Sequence, residues 1–320
     1  MPPRSLNATF STRAMKRRYE VWFLHLALAD GSGAWWIRYL LLNLGRSYGG
    51  GCAGQPRGEP VQIGVAWVPR AGPPENYGAG FPQDGLEVSE RFQSPFAIEV
   101  SGNRMDENSC RGAFEVDGHR FSWDLHYRST ASYSMSDKGW IGFSHTPHAN
   151  AVVSGRIRYD DRIWENETLG YGMQGHHCGY RHRRSWTWAH VAVVSAPYGD
   201  LSSFEVVEHE TLLRRRFHRA RLWHEGQLFD FTKLEIIERT TDPFRWTVHC
   251  SHPENGTTLV AIFDGTGSGT LRLPYPRTNC TGAFEVINNS LASAKLYFKR
   301  SELPPIEFLA PGGAVLEMAD

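Results

Sequence analysis

Short runs rich in Trp, Tyr, Phe, Val and Ile are cut at close intervals by Gly, Pro, Asn and Asp along the whole chain. That spacing constrains the fold more than any other feature. Aromatic and β-branched residues fit a pleated, half-buried surface, and turn residues every eight to twelve positions leave no room for helices. No stretch up to residue 127 carries a helical period over three turns. Strands are expected at 19–29, 35–44, 61–68, 86–90, 97–102, 111–116 and 120–127. A second set is expected at 201–210, 216–224, 228–238, 246–251, 257–263, 269–274, 281–288, 292–299 and 314–318. Asp30-Gly31 and Asp117-Gly118 read as hairpin turns. Residues 45–59 and 69–85 read as long loops. The pattern argues an all-β barrel or sandwich.

Length leaves room for two such units, since 320 residues exceed one typical domain. The expected division is a basic arm at 1–17, one β domain at 18–150 and a second at 151–320. The boundary is placed at His145, Pro147, His148 and Asn150, which read as a transition between strands. The pentapeptide Gly-Ala-Phe-Glu-Val occurs at 112–116 and again at 282–286, which agrees with a duplicated β domain.

Composition excludes several function classes. Formal charge is +0, so the chain as a whole offers nucleic acid no electrostatic footprint. The best apolar runs, 21–29 and 34–44, are interrupted by His25 and Arg38 and are too short to span a bilayer, so no integral membrane segment is expected. The five cysteines are far apart and form no C-x-x-C pair. A reducing, cytoplasmic location is the easier reading.

The stretch 170–194 concentrates the chemistry. Gly170, Gly172 and Gly175 spell G-x-G-x-x-G, but β-branched and aromatic residues follow rather than a helix, so a dinucleotide site is not expected. His176, His177, Cys178 and His182 have the residue types of a metal site. Adjacent strand residues point to opposite faces, however, and no metal or cofactor is expected. The groups Arg181, Arg183, Arg184 and Arg214, Arg215, Arg216 read as solvated turns. Cys178 beside His177 reads as a buried structural thiol in preference to a thiolate pair. From Trp186 the sequence alternates, so that Trp186, Trp188, His190, Ala192 and Val194 share one strand face. Two indoles and an imidazole on one face make an aromatic wall, with a proton-transfer group in it.

Carboxylates near such a wall are the candidate acids. In 201–210, Ser203, Glu205, Val207 and His209 share a face. A buried Glu205 would have a raised pKa and could donate a proton. Glu20 shares a face with Trp22, Leu24, Leu26 and Leu28. It reads either as a second acid or as an ion pair with Arg38, which is flanked by Trp36 and Leu40; turn register decides whether the two meet. Indole faces stabilise a carbocation. The combination suits protonation of a carbon–carbon double bond followed by hydration, cyclisation or isomerisation, and it equally suits plain carriage of a lipophilic ligand.

A family resemblance adds to this reading. Tyr19-Glu20-Val21-Trp22-Phe23 followed by Ala34-Trp35-Trp36-Ile37-Arg38-Tyr39 resembles the start of the hydroxyneurosporene synthase (carotenoid 1,2-hydratase) and AttH-like family, to which tocopherol cyclases and some Diels–Alderases are related in architecture. Gly170-Tyr171-Gly172, His176, Gly179 and then Trp186-Thr187-Trp188-Ala189-His190 resemble that family's Gly-x-Gly-Tyr-x-Asp-His-x-Trp-Gly followed by Trp-x-Trp. The likeness spans most of the chain on short motifs. It implies two tandem lipocalin-like antiparallel β-barrels. The residue reading and the resemblance together give a hydrophobic small-molecule substrate, Glu205, His176, His177 and Glu20 as catalytic candidates, and Trp186, Trp188, His190, Tyr171, Trp36 and Arg38 as candidate substrate contacts. Where the family has Asp-His-x-Trp-Gly, this chain has Gly175-His176-His177-Cys178-Gly179, which lacks the acidic residue and one Trp. The family's acid lies on the following strand, where Glu205 is nearest by spacing.

Overall fold

A computed structural model describes residues 5–8, 18–43, 59–89, 95–136, 142–180, 182, 185–194, 201–210, 215–267, 269–279 and 281–320. Most of the expected basic arm, all of the expected loop at 45–59 but Glu59, and Arg181, Arg183, Arg184 and Arg214 lie outside those residues.

The described residues form two curled antiparallel sheets. The first contains β1 (Tyr19–Leu28), β2 (Gly33–Leu42), β3 (Val61–Pro69), β4 (Glu75–Phe81), β5 (Leu86–Val88), β6 (Ala97–Val100), β7 (Asn103–Asp106), β8 (Ser109–Val116), β9 (His119–Arg128), β10 (Tyr133–Ser136), β11 (Gly142–Tyr159) and β12 (Arg162–Gly179). Its order is β4-β3-β2-β1-β12-β11-β9-β8-β7-β6-β5, with β10 beside β11. The second contains β13 (Trp186–Val194), β14 (Leu201–Glu210), β15 (Arg216–His224), β16 (Gln227–Phe231), β17 (Lys233–Thr241), β18 (Phe244–His252), β19 (Thr257–Asp264), β20 (Thr270–Pro276), β21 (Ala283–Lys299) and β22 (Ile306–Ala319). Its order is β16-β15-β14-β13-β22-β21-β19-β18-β17, with β20 beside β21.

The two orders superimpose term by term. β1–β4 correspond to β13–β16, β11 and β12 to β21 and β22, and the off-path β10 to β20; the first sheet simply continues through β6 and β5. The duplication expected from sequence is therefore visible in topology. The repeated pentapeptide is not its trace: one copy lies on β8, whose counterpart is β18, and the other opens β21.

The sheet changes between Gly179 and Trp186. The expected division at 150/151 falls inside β11, which runs 18 residues without a break in sheet membership. Pro147, one of the four residues on which that division is placed, cannot donate to a ladder. Here it sits where the β11–β12 register shifts, between His145 and His148, and a bulge tolerates it. The expected loop at 69–85 likewise contains β4 and a single 3-10 turn, Gln83–Gly85. The hairpin turns form as read: Gly31 has φ 72°, and Asp117 and Gly118 have φ 52° and 81°.

Each sheet curls around its own core. Trp22, Leu24, Trp35, Tyr39, Trp67 and Phe96 help to fill the first, and Phe204, Phe231, Trp246, Phe263, Phe298 and Phe308 help to fill the second. A third cluster joins the outer faces of the two sheets, with Phe23, Trp36, Val68 and Met173 from one side and Trp188, Leu273, Val286 and Val315 from the other. Burial of each such side chain contributes about 1.5–3 kcal/mol. This seam explains why β1 is apolar on both faces: even positions fill the barrel, and Val21, Phe23 and His25 face the other half.

Candidate active site at the seam between the sheets

The three glycines that open the 170–194 stretch serve close strand packing. They lie on β12 opposite Leu28, Leu26 and Phe23 of β1. A Cβ on Gly170 would sit 2.1 Å from the Ala27 carbonyl oxygen, one on Gly172 1.9 Å from that of His25, and one on Gly175 2.3 Å from the Phe23 ring.

Beyond them, β13 crosses the seam. Its Trp188 is buried against Phe23 and Trp36, with ring centroids at 5.8 and 6.3 Å. Trp188 donates its indole N–H to Glu205 Oε1 at 2.8 Å, and Thr146 of the first sheet donates to Glu205 Oε2 at 2.6 Å. Glu205 is fully buried. Burial pushes its carboxyl up to about 7, against the opposing pull of Thr146, Trp188 and the Arg221 charge. A carboxyl in that range keeps a proton to give at neutral pH. Arg221 lies opposite Glu205 on β15, but its guanidinium reaches Asp230 at 3.0 Å.

His190 is opposite Glu205 on β13 and shares its face. Its Nε2 lies 2.8 Å from the Ala149 carbonyl oxygen, and burial lowers its pKa to about 3, so the ring is neutral. His177 reaches the seam too, packing edge-on to Phe23 at 5.1 Å, and burial lowers its pKa to about 3.

Trp186, two residues before Trp188, serves a second carboxyl. Its indole donates to Glu317 Oε1 at 2.8 Å; Tyr275 and Asn288 donate to Oε2 at 3.2 and 3.4 Å. Burial raises the Glu317 pKa, and the Arg38 charge opposes the rise. One strand thus hands two indole N–H groups to carboxyls on opposite neighbours, β14 and β22.

Glu20 and His176 sit elsewhere. They form a buried pair inside the first barrel, Nε2 to Oε1 at 2.9 Å, with His176 stacked on Trp22 at 4.5 Å and its Nδ1 2.8 Å from the Leu6 carbonyl. The expected Glu20–Arg38 ion pair does not form. β1 and β2 pair Glu20 with Leu41 and Phe23 with Arg38, so the two side chains leave opposite faces of the sheet. Arg38 instead lies on the seam face, donates to Asn76 Oδ1 at 2.7 Å, and acts on Glu317. Tyr171 is half-buried on β12 opposite Ala27. His177 and Cys178 point to opposite faces, and burial holds the Cys178 thiol well above its usual pKa, which disfavours a thiolate. Among the described residues, Cys110, Cys178 and Cys250 are free thiols, no group of three or more His, Cys, Asp or Glu is placed to hold a metal ion, and no helix is long and apolar enough to cross a membrane.

Sequence reasoning missed Thr146, His25, Glu317 and Tyr275. Thr146 and His25 come from the first sheet, and what faces them across the seam is set by docking, which no local pattern encodes. Glu317 carried a signal: an acidic residue inside the apolar run at 314–318 must find a partner.

The arrangement of two curled sheets is shared with proteins of known structure. A protein assigned as AttH from Nitrosomonas europaea superimposes with a TM-score of 0.50 at 11% identity, covering 100% of this chain and 98% of the other. Kievitone hydratase from Nectria haematococca superimposes with a TM-score of 0.56 at 8% identity, covering 98% and 92%. The fold is the AttH-like, tandem lipocalin-like one. No protein-family model matches the chain, and no curated protein matches its sequence.

Proposed function

We propose that the protein is an enzyme that protonates a carbon–carbon double bond of a lipophilic terpenoid, polyene or polyketide substrate, leading to hydration, cyclisation or isomerisation. The observation that carries this reading is Glu205: a fully buried carboxyl raised to about 7, fixed by Trp188 and Thr146, in a seam lined by Trp36, Phe23 and Trp188. A protonated carboxyl is the acid such a reaction needs, and indole faces stabilise the cation that protonation creates. Hydration receives further support from the name of kievitone hydratase, which shares the fold. In this reading Glu205 gives the proton and Trp36, Trp188 and Trp186 shape and stabilise the substrate. Glu20 and His176 hold the first barrel together rather than touch substrate.

The test is incubation of the purified protein with a panel of polyenes and terpenoid alkenes, followed by mass spectrometry of the extracted small molecules. Conversion by the wild type and its loss in Glu205→Gln, with ligand binding retained, supports the enzyme. Ligands bound but recovered unchanged from the wild type overturn it in favour of a lipocalin-like carrier.

A further inference from the structure

His25 and His190 occupy equivalent places in the two halves. On its partner strand His25 faces Met173 of β12, and His190 faces Val315 of β22. These are matching positions, since Gln174 and Gly172 flank a bulge of β11 as Leu316 and Ala314 flank a bulge of β21. Each bulge puts an extra residue into the long strand and takes its carbonyl out of the ladder. The two histidines use those carbonyls reciprocally. His25 Nε2 lies 3.0 Å from Ser290 O at the β21 bulge, and His190 Nε2 lies 2.8 Å from Ala149 O at the β11 bulge. Each half thus sends one imidazole into the bulge of the other.

A carbonyl oxygen only accepts, so both Nε2 atoms carry the proton. Both rings are fully buried and burial keeps them neutral, so each Nδ1 is a bare acceptor. Among the described residues neither Nδ1 has a hydrogen-bond partner. The Trp36 indole N–H, directly opposite His25 on β2 with rings 6.4 Å apart, is likewise a buried donor without one. His190 is directly opposite Glu205, and the His25 ring is near enough to act on His190 electrostatically. Two acceptors, one donor and an acid therefore lie on neighbouring positions of strands that meet at the seam. A water molecule has the complementary set, with two hydrogens to give and lone pairs to receive.

We propose that the Nδ1 atoms of His25 and His190, together with the Trp36 indole N–H, hold the water that adds to the substrate. This assigns the reaction as hydration and rests on the reading of Glu205 as the acid. The Glu205 carboxyl gives its proton to one alkene carbon, leaving a carbocation and a carboxylate. The held water bonds through oxygen to the cation. The oxonium so formed loses a proton to one Nδ1, because a protonated alcohol is a far stronger acid than an imidazolium. That imidazolium passes its proton to the Glu205 carboxylate. One alkene and one water become one alcohol, and both protein groups return to their starting state.

A purely structural role, two staples between the sheets, is separable. In His25→Gln and His190→Gln the amide N–H retains a donor for the bulge carbonyl, while the basic Nδ1 gives way to an amide oxygen that accepts a hydrogen bond but takes up no proton. Wild type, both variants and Glu205→Gln are incubated with the alkene panel in H2(18)O, and separately in D2O. Deuterium uptake reads reversible protonation; 18O reads water addition. Both His→Gln variants should keep the wild-type melting temperature and deuterium uptake while losing ~100-fold in 18O incorporation, the scale of one acid–base group. Wild-type 18O incorporation in both overturns the proposal. A wild type that takes up neither label overturns the Glu205 reading instead, and this one with it. A high-resolution crystal structure tests the pair without substrate. An ordered water bonded to both Nδ1 atoms is expected, and two Nδ1 atoms packed on carbon alone overturn it.

Discussion

Trp188 and Glu205 are joined by an indole N–H to carboxyl bond of 2.8 Å between adjacent strands, and the bond lies on the face that one barrel presents to the other. The donor favours the carboxylate, yet burial outweighs it, and the proton stays on to about pH 7.

That balance has a thermodynamic signature. Glu205 has a folded pKa near 7 against 4.5 when free, so between those values the folded state holds a proton that the unfolded state has lost. Its contribution is intact below about pH 4.5, falls as pH rises through 7, and then levels off. The loss is about 3 kcal/mol, which Glu205→Gln does not suffer. Urea denaturation of both proteins from pH 4.5 to 8 measures it; parallel curves would refute the raised pKa.

The histidines work in the opposite direction. His190 has a folded pKa of about 3 against 6.5 when free, so the unfolded state takes up the proton first as pH falls. Its contribution is full above about pH 6.5 and erodes toward pH 3. At pH 5 the erosion is about 2 kcal/mol and should be absent from His190→Gln. Comparing the acid limbs of the two stability curves decides this.

His176→Ala should separate stability from chemistry. It removes the 2.9 Å contact of a buried imidazole to Glu20, a cost of about 1–3 kcal/mol. The melting temperature should fall while turnover per folded molecule is unchanged below the transition. A fall in turnover at full foldedness would return His176 to the site.

Gly172→Ala tests the close approach of β12 to β1. The new Cβ would meet the His25 carbonyl at 1.9 Å, a backbone atom that cannot step aside, and the loss should reach about 3 kcal/mol. Gly267→Ala, where a Cβ meets nothing within 4 Å, is the control and should stay within about 0.5 kcal/mol. Denaturant midpoints of the two variants compare them directly.

The fold was legible because period-two alternation and turn residues are local properties. Asp117-Gly118 shows it: a dipeptide that tolerates positive φ at both positions forms the turn it predicts. Glu205 and Trp188 were each legible as members of an alternating strand face for the same reason, but that their two faces coincide is set by the β13–β14 register. The Glu20–Arg38 pair failed because parity within a strand says nothing of register between strands, and one residue of slip exchanges the faces. His25 was read as an interruption of an apolar run, when its odd position beside Phe23 places it on a second buried face. The boundary at 150/151 was drawn on Pro147, which a bulge accommodates.

The reciprocal histidine contacts also bear on the order of folding. His25 and Ser290 are 265 residues apart, Thr146 and Glu205 59, and His190 and Ala149 41. Most strand neighbours within each sheet are joined by short hairpins, which close quickly, whereas distant pairs carry a large loop-closure cost and form late. Each half can join most of its strands by local steps, and Glu205 meets Trp188 within its own half, but the Thr146 contact and both imidazole contacts form only when the halves dock. A chain with its two halves held apart would have nearly all of its secondary structure but an incomplete site, without Thr146 on Glu205 and without either imidazole in its bulge, so regain of activity on refolding should trail regain of the β-sheet signal.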